Sequence, residues 1–369
     1  MHLPTDPSFP NDRPVLEVDL RAIVANRRLL MELAPRAEVA AVLKADAYGL
    51  GATQVGRALA DDGCRTFFVA TTDEALALRK VLPNPRIFVL GGPARGAEQD
   101  LVEARILPAL NDPSQVARWR QTAARLARPL AAAIQLDTGM CRLGVDAKDV
   151  GELDLRGIEL VLVLSHLGVA DLPDHPLNER QLRAFELHRA SLPVAAASLA
   201  ASSGILLGDS YQFDLVRPGI ALYGCQPVPV PASPIALRPV VRLIVPVLQV
   251  HDVEEAGTVG YGATHPVGPG MRIATLPIGY ADGLLRAAGG RTSVSIAGVS
   301  VPLVGRISMD LVTVDVTELG GRVRPGTPVE VLAGPGAVDR YADAAGTISY
   351  EVLVRLGSRI ERRYLGEGA

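Results

Sequence analysis

Cysteine is scarce in this chain, and the three it has are far apart. Cys64, Cys141 and Cys225 are odd in number and form no CxxC pair, which excludes a disulfide framework and a cysteine-built metal centre and leaves reduced thiols as the expected state. A long hydrophobic run is missing too, so no segment is expected to cross a bilayer. Residues 1–11 carry Pro4, Asp6 and Pro10 and lack the basic-then-apolar order of a secretory leader, which points to a cytoplasmic protein. There is no block of lysine and arginine, and the formal charge is only −3, so the chain has no nucleic-acid footprint.

What remains is apolar and large. Hydrophobic residues make up 48% of 369 positions, enough for a sizeable core and too many residues for a single one. A strand is expected at 15–19 and a helix over 20–33. From 39–44 onward, strand and helix patterns alternate. Strands are expected at 66–71, 86–90, 107–110, 130–136, 158–164, 194–198 and 214–217. Helices are expected at 54–60, 73–79 (capped by Asp73), 97–104, 113–125, 147–153 and 177–190. Counted from the strand at 39–44, that gives eight strands in roughly 200 residues, the rhythm of a (β/α)8 TIM-type barrel. A doubly wound sheet would need a GxGxxG turn after its first strand, and none is present. The proline-rich stretch 226–239 reads as a hinge. Beyond it, strands at 240–250, 271–276, 292–296, 299–304, 311–316 and 328–332, with turns such as Gly289-Gly290, predict a mostly β C-terminal domain. The expected division is 1–238, with 1–14 a loose extension, and 239–369.

The barrel strands point to one set of reactive residues. Apolar Val42-Leu43 runs into Lys44, with Tyr48 and Gly49 close behind. Taken alone, that lysine reads first as a side chain snorkelling to the surface, with a Schiff-base amine that sheds its proton when partly desolvated as the sharper alternative. The other strand ends favour chemistry. They carry Asp137 to Arg142, Ser165-His166, Ser202 to Gly204 and Arg217 to Ile220, all on the face where such barrels keep their active sites. Ser202 and the Gly219-Ile220 amides follow strands seven and eight, the usual phosphate position in this fold. A Schiff-base lysine with a phosphate cradle implies pyridoxal 5'-phosphate as cofactor, with no metal.

With these residues assembled, the chain resembles the alanine racemases, fold-type III pyridoxal-phosphate enzymes. The resemblance rests on Ala41 to Gly49, Asp137 to Gly144 and Arg217 to Gly224. In the second domain it rests on Gly260-Tyr261-Gly262, Pro277 to Gly283, Gly305 to Asp310 and Ile348 to Glu351. It implies that Lys44 binds the cofactor and serves as one catalytic base, and that Tyr261 is the second, reaching in from the other subunit of a homodimer. It also implies that Arg217 faces the pyridine nitrogen and is oriented by His166. Tyr48, Ser202, Gly219, Ile220 and Tyr350 would contact the phosphate. Arg142 and Met309 would meet the substrate carboxylate, and Tyr280 would stand at the entrance channel. The implied activity is interconversion of L- and D-alanine, supplying D-alanine for peptidoglycan. The alternatives are a racemase of the same fold acting on serine or lysine, and a non-catalytic carrier of the cofactor.

Three positions depart from the family pattern. Gln135 stands where a lysine often braces Arg142, Ala201 where an asparagine often precedes the phosphate serine, and Ser308 where a cysteine is frequent. An amide at 135 can hydrogen-bond but brings no charge, so the bracing of Arg142 is expected to differ.

Overall fold

The structure, a computed structural model, describes residues 13–228 and 235–366. The expected leader-free start at 1–11 and part of the expected hinge at 226–239 lie outside these residues. The chain divides into one unit of residues 23–237 and another formed by 1–22 with 238–369.

The first unit is a barrel of parallel strands. Ala41–Val42, Thr66–Val69, Arg86–Val89, Leu107–Leu110, Leu130–Gln135, Ile158–Leu164 and Ala196–Ser198 pair in that order. The eighth position is Leu215–Val216, parallel to Glu38–Val39. It closes the ring through Ala40 N to Val216 O (3.0 Å) and Val42 N to Pro218 O (3.0 Å) on one side and Arg217 N to Ala200 O (2.9 Å) on the other. These strands form because short runs of β-branched and aromatic residues are buried on both faces. All four residues of Thr66–Val69 are buried, for example. Phe68 and Phe88 stack with centroids 5.0 Å apart, an arrangement worth about 0.5–1.5 kcal/mol beyond burial.

The helices between strands have readable starts. Pro113–Arg125 opens with Asp112 Oδ1 accepting from Ser114 N (2.7 Å) and Gln115 N (3.0 Å) and with proline at its first position. It buries Val116, Trp119, Thr122 and Ala123 along one stripe. Thr72–Val81 is capped by Thr71, one position before the helix, in a capping box with Glu74. The expected cap, Asp73, lies inside the first turn. The pattern Thr-x-x-Glu outcompetes it because two amide donors are satisfied reciprocally.

The second unit is a nine-stranded sheet. In order across it lie Gln249–Asp252, Arg272–Leu276, Val312–Asp315, Val299–Val304, Ser293–Ile296, Pro328–Leu332, Val241–Pro246, Val15–Asp19 and Glu361–Leu365. Every pairing is antiparallel except the last, which is parallel. The strand Val15–Asp19, grouped with the barrel residues in the sequence reading, lies between Val241–Pro246 and Glu361–Leu365. It buries Val15, Leu16 and Val18 there. Two helices, Ala337–Ala345 and Ser349–Arg355, also belong to this unit. Among the described residues no helix is long and apolar enough to cross a membrane.

Candidate active site

The lysine strand does not simply end in a loop. After Leu43, whose amide donates to Phe68 O (2.8 Å), the backbone of Ala45, Asp46, Ala47 and Tyr48 runs left-handed, with φ between 52° and 59°. Such a turn of L-residues costs on the order of 1–2 kcal/mol per residue. It persists because its polar groups are individually held. Ala45 N donates to Glu74 Oε1 (2.7 Å), Ala47 N to Leu43 O (2.9 Å), and Asp46 Oδ1 accepts from Ala52 N (2.7 Å). Ala47 and Tyr48 are buried. The turn leaves Lys44 at the end of its strand with its side chain open to solvent. Even so, desolvation by the surrounding strand ends pulls its amine below the usual lysine range. The Arg142 guanidinium adds to the effect and the Glu74 carboxylate opposes it.

Arg142 is held by its loop. Asp137 Oδ1 accepts from the amides of Gly139 (2.8 Å), Met140 (2.9 Å) and Cys141 (3.2 Å). Gly144, at φ +130°, lies against the Leu136–Asp137 backbone, where a β-carbon would be 2.5 Å from Asp137 N. Gln135 braces this loop from the strand below, its side-chain amide donating to Leu143 O (3.0 Å). The brace therefore reaches the backbone beside Arg142 without a charge.

The next strand end supplies His166. Burial is the largest cause holding its imidazole neutral, with its pKa lowered to about 3, and Arg217, Arg142 and Lys44 add to it in that order. The buried Arg217 donates to Ser198 Oγ, Ser165 O (2.5 Å) and Leu199 O (3.4 Å). None of these bonds goes to His166, the expected orienting partner; Ser198 and the Ser165 carbonyl set the direction of Arg217. Burial lowers the Arg217 pKa to about 10, which still leaves it charged near neutrality. Gln181, fully buried, ties the same region together, donating to His166 O (3.0 Å) and Thr138 Oγ1 (3.3 Å) and accepting from Gly168 N (2.8 Å).

The expected phosphate residues of the barrel converge. Ser202 Oγ accepts from Gly219 N (2.9 Å) and Ala221 N (3.3 Å). A β-carbon on Gly219 would meet the Tyr48 hydroxyl, so Tyr48, Ser202 and the 219–221 amides share one small space with Ile220 buried between them. A hydroxyl pair and backbone amides without a carboxylate suit a phosphate. With an amine of lowered pKa, a fixed guanidinium and a neutral imidazole on the same barrel face, these residues fit pyridoxal phosphate.

The remaining expected residues lie in the other unit. Tyr261 is 73% exposed, at the tip between Gly257–Val259 and His265–Val267. The position a Gly262 β-carbon would take is 2.9 Å from Arg306 Nη1, so the tip lies on that guanidinium. Tyr280 N donates to Ser308 O (3.1 Å) and Ala281 N to Met309 O (2.9 Å), which joins the Tyr280 and Met309 segments. Tyr280, Met309 and Tyr350 are each exposed. The sequence reading missed Arg359, which bridges Asp282 (2.7 Å) and Asp310 (2.8 Å) and so holds those two segments together. It missed Glu74 and Ser198 as well. Only Glu74 left a signal, as the fourth residue of a capping box.

Known proteins match this chain in both units. The family description "Alanine racemase, N-terminal domain" matches residues 18–227, and "Alanine racemase, C-terminal domain" matches 240–364. An alanine racemase of Rhodospirillum rubrum is 47% identical over 95% of this chain and 96% of its own length. A catabolic alanine racemase of Agrobacterium fabrum is 42% identical over 96% and 92%. The crystal structure of alanine racemase from Bartonella henselae with covalently bound pyridoxal phosphate superimposes with a TM-score of 0.87 at 38% identity, covering 96% of this chain and 99% of that one. Matched in both units and along nearly its whole length, the chain belongs to the alanine racemase family.

Proposed function

We propose that this protein interconverts L- and D-alanine with pyridoxal phosphate, that Lys44 and Tyr261 are its two bases, and that it works as a homodimer. The observation that carries the assignment of bases is the barrel-end amine of Lys44, with its pKa lowered beside Arg142. When bound, pyridoxal phosphate draws electron density from the substrate and makes its α-hydrogen acidic. The chain's own groups do the rest. Tyr48, Ser202, Gly219 and Ile220, with Tyr350, hold the phosphate. Arg142 and Met309 meet the substrate carboxylate, the guanidinium by charge-assisted hydrogen bonds. Lys44 takes the α-proton from one side and Tyr261 supplies a proton from the other; in the reverse direction the roles exchange. Arg217 has no proton to give at neutral pH. It therefore leaves the pyridine nitrogen unprotonated, a weaker electron sink that favours racemisation over side reactions. Tyr280 lines the channel.

Tyr261, Tyr280, Met309 and Ile348 are large apolar or aromatic side chains left exposed within one chain. That supports a second copy covering them and presenting Tyr261 to its neighbour's lysine. A cytoplasmic setting and supply of D-alanine for peptidoglycan complete the proposal.

Mixing two inactive variants tests the assignment. Lys44→Ala and Tyr261→Phe should each abolish conversion of L- to D-alanine. After exchange of subunits the mixture should recover about a quarter of the wild-type rate, because half the dimers are mixed and each mixed dimer has one intact site. No recovery would place both bases in one chain, and an active Tyr261→Phe variant would remove the second base. Assay of L-serine and L-lysine beside L-alanine decides the substrate.

A further inference from the structure

Glu74 does more than a helix cap requires. At the third position of Thr72–Val81 it accepts Thr71 N (3.2 Å) through Oε2, and its own amide donates to Thr71 Oγ1 (3.3 Å), which completes the capping box. Oε2 also takes Ala70 N at 2.7 Å. Oε1 turns the other way and accepts Ala45 N at 2.7 Å, from a residue 29 positions earlier. Ala45 directly follows Lys44 and opens the left-handed turn, so its amide belongs to no strand ladder. One carboxylate thus fastens the ends of the first two barrel strands to each other.

We propose that Glu74 is a positioning residue for Lys44: by gripping the Ala45 amide it fixes the direction in which the lysine leaves its strand, and it sets a negative charge against Arg142. This rests on Lys44 as the cofactor's anchor. Two charged groups bear on the lysine's charge, Arg142 from the loop after Leu130–Gln135 and Glu74 from Thr72–Val81. His166, at the end of Ile158–Leu164, is neutral and feels the lysine's charge in turn. Arg142 and Glu74 pull in opposite directions, so removing Glu74 leaves the guanidinium unopposed.

The test uses full-length, pyridoxal-phosphate-loaded protein in four forms: wild type, Glu74→Gln, Glu74→Ala, and Asp73→Asn as a neighbouring-charge control. Three quantities are read: the pH midpoint of the cofactor's visible band, hydrogen exchange of the peptide around Ala45, and kcat and KM. Gln can turn its one oxygen to the Ala45 amide but loses the charge and the acceptor for Ala70 N and Thr71 N, so the midpoint should fall by about half to one unit while exchange at Ala45 stays near wild type. Ala loses the charge and both oxygens, so exchange should quicken by about tenfold or more and kcat should drop by about tenfold, with KM within about twofold. Asp73→Asn should change none of these. Wild-type midpoint and exchange in both Glu74 variants, or an equal midpoint shift in Asp73→Asn, would overturn the proposal. Borohydride reduction of the wild type that fails to fix the cofactor on Lys44 would instead overturn the assignment of the anchor, whatever the variants do.

Discussion

Gly219 and Tyr48 occupy neighbouring space so closely that a β-carbon on the glycine would lie 2.2 Å from the tyrosine oxygen. Gly219 is required for this close approach, since its φ is not positive. The tyrosine has little room to retreat, because its ring lies against Tyr223 with centroids 4.8 Å apart. Gly219→Ala should therefore displace the Tyr48 hydroxyl and weaken pyridoxal phosphate binding by about tenfold or more. Equilibrium dialysis of the cofactor, with far-ultraviolet circular dichroism to confirm the fold, checks this.

Ser198 holds Arg217 from below, accepting from the guanidinium while donating to Leu215 O (2.5 Å). Ser198→Ala leaves a buried charged group one partner short, a loss of about 1.5–3 kcal/mol. The expected result is a lower urea midpoint with an unchanged slope, together with weaker cofactor retention. Wild-type values for both would show that the Ser165 and Leu199 carbonyls suffice.

Tyr223 is buried, and its hydroxyl donates to Val42 O (2.8 Å), two residues before Lys44. Burial raises its pKa well above the ordinary phenol value, so it remains a donor at any working pH. Tyr223→Phe should cost about 1–2 kcal/mol of stability through the lost hydrogen bond. Denaturant unfolding measures it directly.

His166 links stability to acid. Its native pKa is depressed to about 3 from 6.5, so the native state resists binding the proton that the unfolded chain accepts. Its contribution is complete above about pH 6.5 and is lost as pH falls toward 3, with a slope limited to about 1.4 kcal/mol per pH unit for one proton. His166→Gln should flatten the fall in unfolding free energy between pH 6.5 and 4. An identical slope in the variant would assign the acid sensitivity to other groups.

Much of the barrel was legible because each strand and helix is specified locally. Leu107–Leu110, Pro113–Arg125 and Ile158–Leu164 carry their own apolar pattern and boundaries, and the structure keeps those bounds. The β unit was less legible, because its pairings join distant residues. Nothing in 15–19 announces that its partners are 241–246 and 361–365, since a half-buried strand reads alike in either domain. The reactive residues were found by type and by position at strand ends. Their supports were not, because Ser198 and Arg359 are ordinary residues whose meaning comes from contacts 19 and 77 positions away.

The reversed hand of the backbone from Ala45 to Tyr48 also limits which residues that segment accepts. In this conformation the β-carbon crowds the following carbonyl, and branching at Cβ adds to the crowding. Alanine, aspartate and alanine precede the tyrosine, all of them unbranched at that carbon. In a saturation library, valine, isoleucine and threonine at 45–47 should disappear through loss of folded protein, and glycine should survive. The tolerance map next to the lysine would then record backbone chirality, so depletion there should not be read as proof that those side chains touch the substrate.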